Sequence, residues 1–306
     1  MKLSHPSWLP ILGLACLLPA AAQAGGTPTA ADILSQFNLV TSGNASSSSD
    51  VGGAAVIGGS LSGNVTFFNN SGNVPASKSV NLYGKLNTSN LNINNGGDLS
   101  YSGSLSGNVT FNGGGGQVTS GPAQPASAYI APLDKLSASL ARLPGTSSLS
   151  TNNGTASFNA VAGQDGLAVF DLSARTLAHD LTNHQIAFTF GTGVKTAVVN
   201  VTGNFYEPTG TNWNGPALQN VLFNFAGAKS VSVGNWQSSI LAPNATVSVR
   251  NGALNGSLFA STFKGGGQLH NLTFSGALPV PEPSSLGLLG AGVAGLIAAT
   301  RRRWRR

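Results

Sequence analysis

The sequence predicts a mainly β protein: a single-domain β-solenoid or β-helix-like ectodomain with one or two short capping helices, an N-terminal signal peptide and a C-terminal transmembrane helix. Three observations predict it. Gly59-Ser-Leu-Ser-Gly-Asn-Val-Thr-Phe67 recurs residue for residue as Gly103-Ser-Leu-Ser-Gly-Asn-Val-Thr-Phe111, 44 positions later. Within each copy an apolar residue alternates with a small polar one, the period of a half-buried strand. Across the chain 41 of 306 residues are Gly and only 8% are charged, against roughly 25% in ordinary soluble domains. A recurrence of roughly 20 to 50 residues in such text favours stacked units cornered by Gly and Asn, which accept positive φ cheaply. A β-sandwich is the competing reading, with hairpins at Asn95-Gly96, Asn112-Gly113, Asn153-Gly154 and Asn251-Gly252.

Taken in order, residues 1–24 read as a signal peptide: Lys2, the apolar run Trp8 to Ala22, then Ala22-Gln23-Ala24, the small-x-small pattern cleaved after Ala24. Cys16, the only cysteine, falls in that run, so the mature chain is expected to carry no thiol or disulfide. Cys16 as a lipidated N-terminus is disfavoured by Gly13, which stands where a large aliphatic is wanted. Residues 25–279 form the all-β ectodomain. Thr29 to Phe37 predicts a short helix, with Thr29 as cap, Asp32 in the first turn and Ile33, Leu34 and Phe37 on one face.

From Gly43 to Gly121 the text is Ser, Asn, Gly and Thr punctuated by aliphatics, with a looser third copy of the repeat at Gly252 to Ala260. The spacing of Ile130, Leu133, Leu136, Leu140 and Leu143 predicts a second helix, with Pro132 in its first turn, Arg142 near its end and Pro144-Gly145 stopping it. Longer strands follow at Leu167–Leu172, Gln185–Phe190, Thr196–Thr202, Val221–Phe225, Ser230–Val233 and Thr246–Arg250.

The formal charge of +6 suggests an anionic partner until the charges are placed. Arg301, Arg302, Arg303, Arg305 and Arg306 close the chain, while the body from Gly25 to Pro279 carries nine basic and eight acidic residues. A body so near neutrality has no footprint for phosphates, so nucleic acid is not an expected partner. The 16 uncharged residues Ser285 to Thr300 are at the short end for a bilayer span, usually about 17–25 residues, and the arginines beside them hold the cytoplasmic side. The ectodomain is therefore expected outside the inner membrane.

Residues 280–306 combine Pro281-Glu282-Pro283, a Gly-rich apolar segment and the arginine cluster. In that order they resemble the PEP-CTERM sorting signal of Gram-negative, exopolysaccharide-producing bacteria. The resemblance implies a membrane-anchored intermediate, recognition by an exosortase that cuts near the triplet, and delivery to the cell surface or exterior. The body resembles the choice-of-anchor A family on three segments: Asp50-Val-Gly-Gly-Ala-Ala-Val-Ile-Gly-Gly59, Ser239-Ile-Leu-Ala-Pro-Asn-Ala245, and Gly256-Ser-Leu-Phe-Ala-Ser261 followed by Gly267 to Pro279. That resemblance implies an adhesive domain, its Leu-Ala-Pro-Asn-Ala segment is reminiscent of ice-binding-type solenoids, and it brings no catalytic residues.

Chemistry is sparse. His179 and His184 are five apart with Asp180 between them and no third ligand, so no metal or cofactor is expected. His270 is read as fixing the last turn through a side-chain hydrogen bond. Asp165 and Asp171 are the nearest thing to a glycosidase pair, but Asp165-Gly166 reads as a turn and Asp171 as the outer face of a strand. No Gly-x-Ser-x-Gly elbow precedes a helix, and the glycine runs lack the Lys of a phosphate loop. Tyr206, Trp213 and Trp236 supply aromatic faces that could stack on sugars, although rings of that size are more often buried. The expectation is an exported, exosortase-sorted, non-enzymatic adhesive surface or matrix protein, handled in export by signal peptidase and exosortase. The alternative is an exopolysaccharide-binding module, and behind it a secreted hydrolase.

Overall fold

A computed structural model describes residues 27–69, 78–114 and 116–278. The expected signal peptide with Ala24 lies outside the described residues, as do Pro281, Glu282, Pro283, the expected transmembrane helix and Arg301, Arg302 and Arg303. No helix among the described residues is long and apolar enough to cross a membrane.

Strands separated by one circuit of the chain pair in parallel, so the backbone coils into a solenoid with three sheet faces. The order of coils along the stack is not the order of the chain. Beginning at Phe37–Thr41, the chain climbs through Ala54–Ile57, Ser79–Leu82 and Asp98–Tyr101 to Val118–Ser120 at one end. It then runs back, and restarts at the other end with Leu167–Ser173. From there it climbs through Thr196–Thr202, Leu218–Asn224 and Ser238–Val249 to Leu258–Gly265. That last coil closes the stack by pairing with the first: Leu258 with Leu39, Phe259 with Val40 and Ala260 with Thr41.

The return segment contains the long helix α2 (Ser127–Leu140), and the first helix α1 (Ala30–Gln36) packs beside it. α2 covers one sheet face. Ser137 Oγ donates to Asn224 Oδ1 at 2.6 Å, and Asn200 Nδ2 donates to the Leu140 carbonyl at 2.8 Å. The register carries this helix-side row through Asn200, Asn224, Leu241, Phe259, Val40 and Val56. Being covered on both sides, these strands read as unbroken buried runs, as in Phe37–Thr41 and Ala54–Ile57. The asparagines there are tolerated because each amide is satisfied; Asn224 Nδ2 donates to Ser137 O at 3.0 Å and to Asn200 Oδ1 at 2.9 Å. The two other faces meet water and alternate buried with exposed.

The repeat has a simple meaning here. Its copies lie two coils apart and flank Leu86–Asn94: Leu61 and Leu105 both face Leu86, and Phe67 and Phe111 both face Ile93. The looser copy at Gly252 to Ala260 is not an equivalent unit. Its Leu254 pairs with Leu269 on the third face, and Leu258 already belongs to the helix-covered face.

Several elements depart from expectation. α1 forms as anticipated, with Thr29 Oγ1 accepting from Asp32 N at 3.2 Å and Asp32 returning to Thr29 N at 3.0 Å. α2 begins at Ser127, where backbone bonds from Ala128 to Pro125 and from Tyr129 to Ala126 build the first turn. Pro132 therefore sits in the second turn, and Arg142 lies beyond the helix end. A third helix, α3 (Ala174–Leu181), was not expected; Ser173 caps it through Thr176 N at 3.0 Å, and Leu177 and Leu181 are buried. Gln185–Phe190 is not a solenoid strand. With Ser148–Asn152, Thr155–Ala160 and Asn212–Trp213 it forms a separate four-stranded sheet. The Asn153-Gly154 hairpin of the sandwich reading occurs in that sheet, with positive φ at both residues.

Candidate functional site

With one face under α2, the other two are the surfaces available for binding. On the first, register aligns one outward residue per coil: Tyr206, Ser232, Ser248, Lys264, Ser46, Ser62, Asn87 and Ser106. Their inward neighbours Phe205, Val231, Val247, Phe263, Ala45, Leu61 and Leu86 are buried. The row repeats at the strand spacing of about 4.8 Å, and six of its eight residues are Ser or Asn, with Tyr206 and Lys264 the long side chains.

The third face carries amides instead. Asn112 Nδ2 donates to Asn94 Oδ1 at 3.0 Å, Asn94 Nδ2 to Asn69 Oδ1 at 3.0 Å, and Asn69 Nδ2 to Asp50 Oδ2 at 2.8 Å. A second amide chain runs on the far side of the junction between first and last coils. There His270 Nδ1 bonds Asn255 Oδ1 at 2.7 Å, and Asn255 Nδ2 donates to Gln237 Oε1 at 2.7 Å. The other ring nitrogen, Nε2, lies 2.9 Å from Gln268 Oε1. Between the two chains lies a polar cavity of about 270 Å³ lined by Asp50, Gly52, Asn69, Gln268, His270 and Asn271. The alternation Asn90, Asn92, Asn94 is the local sequence signal for this ladder.

The three aromatic candidates separate. Tyr206 is 64% exposed, and the Arg250 guanidinium lies 4.1 Å from its ring centroid. Arg250 also reaches buried Glu207, with Nη2 at 3.3 Å from Oε2 and 3.2 Å from the main-chain oxygen, and Gly234 N donates to Oε2. Burial pushes the Glu207 carboxyl above its usual range, and the Gly234 N–H and Arg250 offset part of that. Trp213 is partly buried, and Trp236 is fully enclosed. Trp236 packs edge-on to Trp213 at 5.0 Å and to Phe223 at 4.8 Å, and Phe188 stacks on Phe158 at 4.4 Å. These rings join the four-stranded sheet to the solenoid. Trp236 therefore presents no ring to a ligand, because its whole surface is spent on the core; Tyr206 alone of the three is open.

The titratable groups do not converge. His179 Nδ1 bonds its neighbour Asp180 at 2.8 Å at the end of α3, and His184 Nδ1 bonds Thr182 O at 2.7 Å. Among the described residues no group of three His, Cys, Asp or Glu side chains could hold a metal ion. Asp165 lies in the 3-10 turn Gln164–Gly166. Asp171 sits four residues along the strand from Leu167, about 13 Å at the usual rise, beside Asn200 Nδ2 at 3.4 Å.

The model of the family described as "Putative Ice-binding-like adhesive domain" matches residues 30–271, well over half of the chain. The chain belongs to this adhesive-domain family. The adhesive domain is followed at residues 279–303 by a match to the PEP-CTERM protein-sorting motif, which implies exosortase processing and export to the cell envelope or surface. The finer choice-of-anchor A label is not what these matches carry. Among solved structures the adhesive domain is similar to an ice-binding protein from the Antarctic ascomycete Antarctomyces psychrotrophicus, at 12% identity and a TM-score of 0.29, covering 81% of this chain and 98% of that one. No curated protein matches the chain.

Proposed function

We propose that this protein is a non-enzymatic adhesin of the choice-of-anchor A type, released from its export signal after Ala24, sorted through residues 280–306, and adhering through the two open faces of its solenoid. One observation carries the reading: each open face repeats short polar side chains at coil spacing over a buried apolar core, and the amides of the third face are pre-oriented by bonding one another. Such a surface meets a hydrated polymer by many weak, aligned hydrogen bonds, and little ordering entropy is lost because the side chains are already fixed. Asp165 in its turn and Asp171 beside Asn200 sit in separate surroundings, which weighs against a glycosidase pair.

The test has two parts. Deletion of residues 281–306 is expected to abolish the surface-associated pool in cell fractionation, and an unchanged pool sinks the sorting reading. Purified protein on a sensor surface is expected to retain extracted exopolysaccharide or matrix without cleaving it. Release of shortened glycan would overturn the non-enzymatic reading.

The exposure of Tyr206 favours a second reading, a sugar-binding module centred on that ring. Tyr206→Ala abolishing glycan retention would favour it, whereas adhesion distributed over the faces loses little when one ring is removed.

A further inference from the structure

The two ends of the solenoid are finished differently. At the Leu167–Ser173 end, α3 and the four-stranded sheet with its aromatic rings cover the last coils. At the other end the last coil is Leu105–Asn112 followed by Val118–Ser120, and among the described residues no strand pairs with its outer edge. Its inward side chains show what this costs. Leu105, Val109 and Phe111 are only partly buried and Val118 is 43% exposed, whereas the matching residues one coil inward, Leu86, Leu91, Ile93 and Leu99, are all completely buried. Solenoids ordinarily need a capping unit at each end.

The repeat says what kind of strand this edge accepts. Gly59–Phe67 is identical in sequence to Gly103–Phe111, and its corresponding edge is covered by another strand of this same chain, Leu86–Asn94. The Asn112 carbonyl accepts from Asn95 N in the coil beneath, so by alternation the main-chain groups of Val109 and Phe111 face outward. No charged residue lies between Asp98 and Asp134, so neither the edge lysines nor the inward charges that usually block strand addition are present.

We infer that this bare end is a self-association surface: two copies of the chain meet end to end about a twofold axis, with Leu105–Asn112 pairing antiparallel with its twin and the exposed apolar side chains covering one another. An uncharged edge can meet its own copy without repulsion, and an isologous contact closes after two subunits. Head-to-tail growth is blocked because the opposite end is already capped. One coil-end is a small contact, below the ~1,200 Å² that separates weak from standard interfaces, so the dimer is a weak one. The inference stands apart from the adhesive reading, since it is read by mass rather than by binding.

Sedimentation velocity of the purified exported protein from about 10 μM to about 1 mM is expected to show a monomer converting to a dimer. Ser106→Lys with Thr110→Lys, two exposed positions on the edge strand, is expected to hold the protein monomeric throughout. Ser46→Lys with Ser248→Lys, mid-stack, is expected to leave the dimer intact. A wild type that stays monomeric to the top of the range overturns the proposal; so does a dimer that survives the edge lysines. Hydrogen exchange needs no variant. The Val109 and Phe111 amides are expected to exchange several-fold more slowly at the highest concentration, and rates independent of concentration overturn the proposal.

Discussion

Asn38, in the first coil of the chain, donates from Nδ2 to the main-chain oxygen of His270, in the last, at 3.0 Å and across 232 positions of sequence. The same amide donates to Gly256 O at 2.8 Å, and its Oδ1 accepts from Gly53 N at 3.2 Å. One fully buried side chain thus fastens the junction where the two halves of the solenoid meet, aided by Ser257 Oγ donating to Leu34 O at 2.6 Å. Asn38→Ala removes the bonds to Gly256 O, His270 O and Gly53 N, of which His270 O still accepts from Leu272 N at 2.8 Å, and is expected to cost about 2 kcal/mol or more in denaturant unfolding. A loss under about 0.5 kcal/mol, the size of an ordinary surface change, would mean that the junction is held elsewhere.

Gly63 and Gly107 occupy the same position in the two copies of the repeat, and both have positive φ, +88 and +117. A Cβ at Gly63 would meet the Ser47 carbonyl, and one at Gly107 the Thr88 carbonyl, each in the coil beneath. Gly63→Ala is expected to destabilise by at least about 2 kcal/mol, from the left-handed backbone plus the displaced coil. Gly107→Ala is expected to cost less, because the end coil can shift into open space. Parallel thermal melts of the two variants check the order.

Trp236→Ala empties the middle of the aromatic cluster and is expected to lower stability by about 3–5 kcal/mol. Tyr206→Ala is expected to leave stability within about 0.5 kcal/mol. Calorimetry on both separates a core ring from a surface ring, and equal losses would contradict their placement.

Glu207 gives a pH dependence whose sign follows from burial. Its carboxyl is held above the ordinary value in the folded state, so the folded protein binds this proton more tightly than the unfolded chain does. The associated stability is full below the unfolded value and is lost as pH rises from there through the raised folded value. Glu207→Gln is expected to flatten that decline in denaturation midpoints measured upward from pH 4.5, the ordinary carboxyl value. An identical slope in the variant would mean that another group titrates.

The class of the fold and the character of its surface are written in short stretches of sequence. Alternation, the nonapeptide copies and the Gly and Asn corners are local properties: a strand with one wet face must alternate, and a corner with positive φ selects its residues without regard to what lies beyond. α1 was legible for the same reason, because Thr29 and Asp32 satisfy each other within one turn. The order of the coils emerges from long-range packing alone, since parallel pairing across 200 residues leaves no local trace; Leu39 and Leu258 read like any other inward leucines. That packing also assigned Gln185–Phe190 to a second sheet, buried Trp236, left polar rows open on two faces by laying α2 over the Asn200–Asn224 face, and left the Leu105–Asn112 edge bare. Whether a ring or an edge meets water depends on what distant segment packs against it, and that is fixed by the sum of contacts rather than by any stretch of sequence.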